Sequence, residues 1–198
     1  MMEKIRSFIA IELQQDLKVE LAKLQSRLKI DRPRVKWVSP EGIHLTLKFL
    51  GDVDASRLAQ VSQAMTEAVK GIKPFELTIG QLGVFPNPQK VQVVWVGLEG
   101  DLTTLDRLYR QLEDSMIKIG FPPENRGFKP HLTLARVGDE ALSEERKRFG
   151  DLVTACKADI NFTLKASGLS LMKSVLTPRG ALYNRLSYAS FTPDNNIM

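Results

Sequence analysis

Only two histidines occur in the chain, and each opens the same four letters: "HLTL" at residues 44–47 and again at 131–134. In an extended segment alternate side chains share a face. His44 and Thr46 therefore point one way and Leu45 and Leu47 the other; His131 and Thr133 stand against Leu132 and Leu134 in the same manner. Each strand gives its own lobe an apolar face and leaves an imidazole and a hydroxyl on the opposite side. Brought together across a cleft, the two polar sides make a site of two histidines and two threonines. An imidazole titrates at about pH 6.5. At neutral pH one ring can act as a base while its protonated partner acts as an acid, so the pair can move two protons in one displacement at phosphorus. The threonine hydroxyls can hold the non-bridging oxygens of a phosphate between the rings. The residues alone do not say which histidine takes which role.

Other chemistries find less support. One histidine in a strand is usually structural, and the argument rests on the repetition. Two histidines without a third ligand at short spacing fit no standard zinc site, so neither metal nor cofactor is expected. A nucleophile elbow of the GxSxG type is absent, and Cys156, expected in a helical segment, has no adjacent basic motif to lower its pKa.

The elements that must position these residues follow from periodicity. "KIRSFIAIEL" reads as a strand from about Ile5 to Leu13, and Leu17, Leu21, Leu24 and Leu28 mark an amphipathic helix. After a loop with Pro33 come "VKWV", a turn at "SPEG" and the first HLTL strand, which Gly51 should end. A helix over Ser56 to Val69, strands at "FELTIGQLGVF" and "VQVVWVGL", and a long helix through Leu102, Leu105, Leu108, Leu112, Met116 and Ile119 precede Gly120 and Pro122 as stop signals. The second HLTL strand, a polar helix near Ser143 to Phe149, and the segments "NFTLKASGLSLMKSVL" and "LYNRLSYASF" as closing strands complete the chain. Short connections favour an α+β fold with antiparallel or mixed sheets. The histidines lie 131 − 44 = 87 residues apart, which suits two similar lobes of roughly one hundred residues each. Trp37 and Trp95, in apolar strands, read as core.

With 198 residues and 43% hydrophobic content a real core is available. A net charge of +5 favours phosphate-bearing partners. One cysteine and an N-terminal "SFIAI" soon followed by Glu12 and Asp16 point to the reducing cytoplasm, with neither signal peptide nor membrane span.

Paired H-x-T-x motifs with an apolar fourth residue resemble those of the two-histidine phosphoesterase superfamily. Within it the sequence is most similar to the bacterial and archaeal RNA 2′,3′-cyclic phosphodiesterases, also described as 2′-5′ RNA ligase-like proteins. The resemblance runs through "RSFIAIEL", "VKWVSPEGIHLTLKFLGDV", "VQVVWVGL", "GFKPHLTLAR" and "SLMKSVLTPRGALYNRLSYASF". It implies a bilobal α+β fold, two similar lobes of antiparallel sheet backed by helices with the active cleft between them, so that residues 1–198 form a single domain with one motif from each lobe. It also implies His44 as proton donor to the leaving oxygen, His131 as acceptor from the attacking water, and Thr46 and Thr133 as phosphate-binding residues. The implied reaction is metal-independent opening of a 2′,3′-cyclic phosphate at an RNA end, tRNA fragments included, to a 2′-phosphomonoester by a monomeric protein.

Further contacts are expected around this centre. Strict alternation puts Lys48 on the cleft side, able to meet phosphate. Arg136 belongs to the "HLTLAR" string, yet its odd offset from His131 turns it away unless the strand bulges. Arg126 and Lys129 can add positive charge at the cleft mouth, and Phe85 can stack on a terminal base or pack in the core. Two alternatives stay open: action on 2′-5′ linkages or small cyclic phosphates, and a non-catalytic module that only grips RNA ends.

Overall fold

Apolar alternation at both ends of the chain resolves into strands of one curled antiparallel sheet. The computed structural model describes residues 3–29, 34–125, 127–177 and 180–191. In chain order these form β1 (Lys4–Glu12), α1 (Gln15–Leu28), β2 (Val35–Trp37), β3 (His44–Asp54), α2 (Leu58–Ala68), β4 (Phe75–Phe85), β5 (Val93–Gly100), α3 (Leu102–Lys118), β6 (His131–Val137), α4 (Ser143–Ala155), β7 (Thr163–Ala166), β8 (Gly168–Thr177) and β9 (Gly180–Ser190). The strand order is β7-β4-β5-β6-β3-β1-β8-β9, with β2 pairing β6 beside it. Fold class and lobes are those expected: an α+β molecule in which β7, β4, β5 and β6 make one lobe and β3, β1, β8 and β9 the other.

The lobes meet at the two motif strands. β3 and β6 share one antiparallel pair, Leu45 opposite Leu132, while β2 occupies the remaining length of β6, from Ala135 to Val137. Where β2 departs, the amide of Gln25 on α1 donates to the carbonyls of Val38 (2.7 Å) and Leu134 (2.9 Å). That buried glutamine satisfies backbone acceptors at the junction, as a buried polar group must. A single hydrophobic cluster runs through both lobes and includes Leu45 and Leu132.

The leucine stripe of α1 is buried as its spacing requires, and so are Leu105, Leu108, Leu112 and Met116 of α3. Asp101 caps α3 by accepting from the Thr104 N–H at 3.0 Å. Beyond its C-terminus Gly120 takes φ of +89°, the left-handed conformation that closes a helix at low cost.

Three expectations need correction. Gly51 does not end the motif strand: at φ of +69° it sits in a bulge opposite Ser7, with Leu50 as the extra residue, and β3 continues to Asp54. The helix expected from Ser56 begins as a 3₁₀ turn over Ala55–Arg57 before α2. The polar helix α4 runs past Phe149 to Ala155 because Val153 adds another buried turn, leaving Cys156 just beyond its end. Among the described residues no helix is long and apolar enough to cross a membrane.

Candidate functional site

The two motif strands carry the same irregularity at the same place. Along β3 the partners on β1 are Ala10 for Thr46 and Ile9 for Lys48, so Leu47 is an extra, unpaired residue. Along β6 the partners on β5 are Trp95 for Thr133 and Val94 for Ala135, so Leu134 is extra. Each bulge lets two consecutive side chains turn inward: Leu47 with Lys48, and Leu134 with Ala135, are all buried. The next residue returns to the outer face. Phe49 and Arg136 are thus equivalent positions, both exposed on the face that carries the histidines.

Extending the register by one residue from Leu45–Leu132 sets His44 against Thr133 and Thr46 against His131. The histidines are diagonal neighbours, which in a regular ladder stand about 7–8 Å apart.

Both rings are fixed in the same way. His44 Nδ1 lies 2.8 Å from the Gly42 carbonyl and His131 Nδ1 lies 2.6 Å from the Lys129 carbonyl. A carbonyl only accepts, so each neutral ring carries its proton on Nδ1 and presents a lone pair on Nε2. Neither Nε2 has a protein partner among the described residues.

The walls are aromatic. Phe8 stacks on His44 with centroids 4.6 Å apart, and Tyr183 meets the same ring edge-on at 5.1 Å. On the other side Phe85 meets His131 edge-on at 5.2 Å, and Trp95 lies 6.0 Å away. Trp95 is therefore not core, as its apolar strand suggested. Its indole faces the cleft over Gly83, where an added Cβ would come within 2.3 Å of the ring. Trp37 does pack against the main core.

Burial between Phe8 and Tyr183 pushes the His44 pKa down to about 4 against the opposing pull of the Gly42 carbonyl and the Glu12 carboxylate. Glu12 is the strand partner of His44. Its carboxylate accepts from Ser170 Oγ and, at 3.1 Å, from Arg185.

The expected residues divide accordingly. His44, Thr46, His131 and Thr133 come together at the junction, Phe85 stands beside His131, and the Leu134 bulge brings Arg136 onto their face. Lys48 does not share it. The Leu47 bulge turns its side chain inward, where the ammonium binds Glu113 of α3 at 2.7 Å and the Pro122 carbonyl at 3.0 Å. Lys129 contributes a carbonyl to His131. Arg126 lies outside the described residues. Phe8 and Trp95 were missed because the apolar runs "SFIAI" and "VVWVG" carry no alternation from which a face can be read, Phe49 because a bulge sets its face, and Tyr183 because nothing in "LYNRL" tells how β9 will pair. Among the described residues no group of three or more His, Cys, Asp or Glu side chains is arranged to hold a metal ion.

Two histidine–threonine strands joined at a splayed junction define a phosphoesterase scaffold. A family model for LigT-like phosphoesterases matches residues 11–95 and again residues 96–183, and the chain belongs to this family. Among curated proteins it is 37% identical over 180 residues to an RNA 2′,3′-cyclic phosphodiesterase of Methanothermobacter thermautotrophicus, covering 91% of this chain and 95% of that one. It is 31% identical to a protein of the same description from Methanocaldococcus jannaschii, covering 90% and 96%. Among solved structures, TT0787 of Thermus thermophilus superposes with a TM-score of 0.78 at 25% identity over 96% of this chain and 99% of that one.

Proposed function

We propose that the protein hydrolyses 2′,3′-cyclic phosphates at RNA ends to 2′-phosphomonoesters, without a metal ion, as one unit to which each lobe contributes one motif. The observation that carries this reading is the matched pair of imidazoles, each anchored at Nδ1 to a carbonyl two residues back and each without a partner at Nε2 among the described residues. One ring removes the proton of the attacking water and the other protonates the ribose oxygen that leaves. Thr46 and Thr133, diagonal across the same junction, hold the non-bridging oxygens, and Arg136 adds charge at the rim. The descriptions of the curated relatives support the substrate class. A ribose is required because only a 2′ oxygen can form the cyclic ester. The single cysteine suits a cytoplasmic setting.

The resemblance gives His44 the donor role. With its pKa near 4 the unliganded ring is neutral at pH 7, so this role requires it to gain a proton as the anionic phosphate arrives; a negative charge within about 4–6 Å has that effect. The test is a short RNA ending in a 2′,3′-cyclic phosphate, incubated with and without EDTA, with the product monoester identified. His44→Ala and His131→Ala should each lower kcat by about 10²–10⁴ while circular dichroism stays native, and EDTA should change nothing. Near-normal turnover by either variant would overturn the acid–base scheme.

A further inference from the structure

The two motif strands are flanked on their outer sides by strands in the same register. Ala10 of β1 and Trp95 of β5 stand opposite the threonines, Ile11 and Val96 opposite Leu45 and Leu132, and Glu12 and Gly97 opposite His44 and His131. Both rings are anchored alike, Nδ1 to a carbonyl. Only His44 has an ionisable side chain as its outer neighbour; His131 has a glycine.

The carboxylate of Glu12 is held in place from two further strands. Ser170 of β8, wholly enclosed, donates its hydroxyl to Oε1, and Arg185 of β9 donates to the same oxygen at 3.1 Å. A buried hydroxyl requires an acceptor, and this side chain provides it. Neither bond includes the ring. Nδ1 of His44 is already taken by the Gly42 carbonyl, so Glu12 acts on it through space, across a directly opposed pair whose Cβ atoms in a regular ladder stand about 4.5–5.5 Å apart. The ion pair with Arg185 is largely open to water and stabilises the fold little.

Charge is therefore uneven between the rings. β1 brings Glu12 to His44 and carries Arg6 at its other end, opposite Asp52; β9 brings Tyr183 and Arg185, and β6 carries His131 and Arg136. Burial disfavours a charged His44, and the Gly42 carbonyl and Glu12 oppose that effect. The carbonyl has its counterpart at His131 in Lys129; the carboxylate has none. An anionic phosphate between the rings attracts a proton to either of them, and Glu12 favours one. We propose that Glu12 is the positioning residue that divides the two roles: its carboxylate, together with the bound phosphate, holds His44 as the imidazolium, and Gly97 leaves His131 free to act as the base. The inference rests on the reaction proposed above and supplies the ground for its asymmetry.

With only two histidines in the chain, NMR of the imidazole nitrogens follows each ring separately, and His131→Gln assigns them. In the complex with 2′-AMP, His44 of Glu12→Gln should titrate about one pH unit below that of the wild type, with His131 nearly unmoved. Glu12→Asp, which keeps the charge, should stay closer to the wild type, and Arg185→Gln, which removes the opposing cation, should move His44 the other way. The free protein gives the same comparison without a ligand. On a short RNA ending in a 2′,3′-cyclic phosphate, Glu12→Gln should lower kcat about tenfold, the counterpart of one pH unit, with KM no higher, because a lost anion does not weaken phosphate binding. A residue that merely braces β1, β8 and β9 would lower stability and leave the His44 titration where it is. An unchanged His44 titration in Glu12→Gln, or an equal displacement in Glu12→Asp, would overturn the assignment and leave the reaction standing if the wild type opens the cyclic ester. A wild type that leaves the ester intact, with His44 still displaced in Glu12→Gln, would overturn the reaction and keep the hold of Glu12 on His44.

Discussion

His44 sits between Phe8 and Tyr183 with its Nδ1 tied to Gly42, and the cost of charging it there has two measurable consequences. Its folded pKa, near 4, lies below the ordinary imidazole value, so between the two the unfolded chain binds the proton more readily. The stability due to neutral His44 is therefore complete above about pH 6.5 and is lost as pH falls toward 4, an effect on the order of 2 kcal/mol. Urea unfolding of wild type and His44→Gln at pH 7.5 and 4.5 isolates it: the wild type should lose more stability on acidification than the variant. Under the donor role proposed for His44, phosphate binding should reverse the balance. Binding of 2′-AMP near pH 6.5, measured by calorimetry in buffers of different ionisation enthalpy, should take up close to one proton in wild type and much less in His44→Gln. Equal uptake in both would remove His44 from the donor role. The identities of the histidines and threonines were legible in the sequence because polar residues interrupt an apolar pattern twice in the same way. The rings beside them were not: Phe8 and Trp95 lie in unbroken apolar runs that give no sign of a face, and Tyr183 reaches His44 only through the pairing of β9.

At the scale of elements the two bulges decide which side chains reach the cleft. A bulge is one residue more than the partner strand has, so it belongs to a pairing and cannot be read from either strand alone. Lys48 shows the cost of assuming alternation: it is almost wholly enclosed and paired with Glu113, while Glu113 also accepts the Glu124 N–H at 3.1 Å. The pair thereby ties β3 and α3 to the segment that leads into the second motif. Lys48→Met should destabilise the protein by about 3–5 kcal/mol because it leaves a buried carboxylate uncompensated, and Lys48→Met with Glu113→Leu should recover much of the loss; chemical denaturation of the three variants checks this. Gly83 makes a different contribution, a flat floor under Trp95. Gly83→Ala should push that indole toward His131 at a cost of about 1–3 kcal/mol, seen as lost stability together with a changed tryptophan emission.

For the whole molecule, the order of strands in space differs from their order in the chain. The family model matches two successive segments, and the histidine spacing suggested two lobes, but the lobes do not divide the chain at its middle. β1 opens the chain and lies between β3 and β8, and β7 and β8 enter different lobes although Ser167 alone separates them. Antiparallel lobes were legible from short connections; this crossing was not, because "NFTLKASGLSLMKSVL" continues its apolar–polar alternation past Ser167 and so reads as one strand. With one hydrophobic cluster running through both halves, the protein should unfold in one cooperative step, with far- and near-ultraviolet circular dichroism transitions that coincide in urea. Two separate transitions would show the lobes to be independent.

The late arrival of β8 and β9 matters during synthesis. When the ribosome has joined residue 167, both histidines and both threonines already exist, yet the free edge of β1 awaits β8 and the ring that closes on His44 belongs to Tyr183. The growing polypeptide thus holds both motifs before β8 covers β1 and before the Tyr183 ring can close on His44, so the enclosure of the first histidine is a late event of folding.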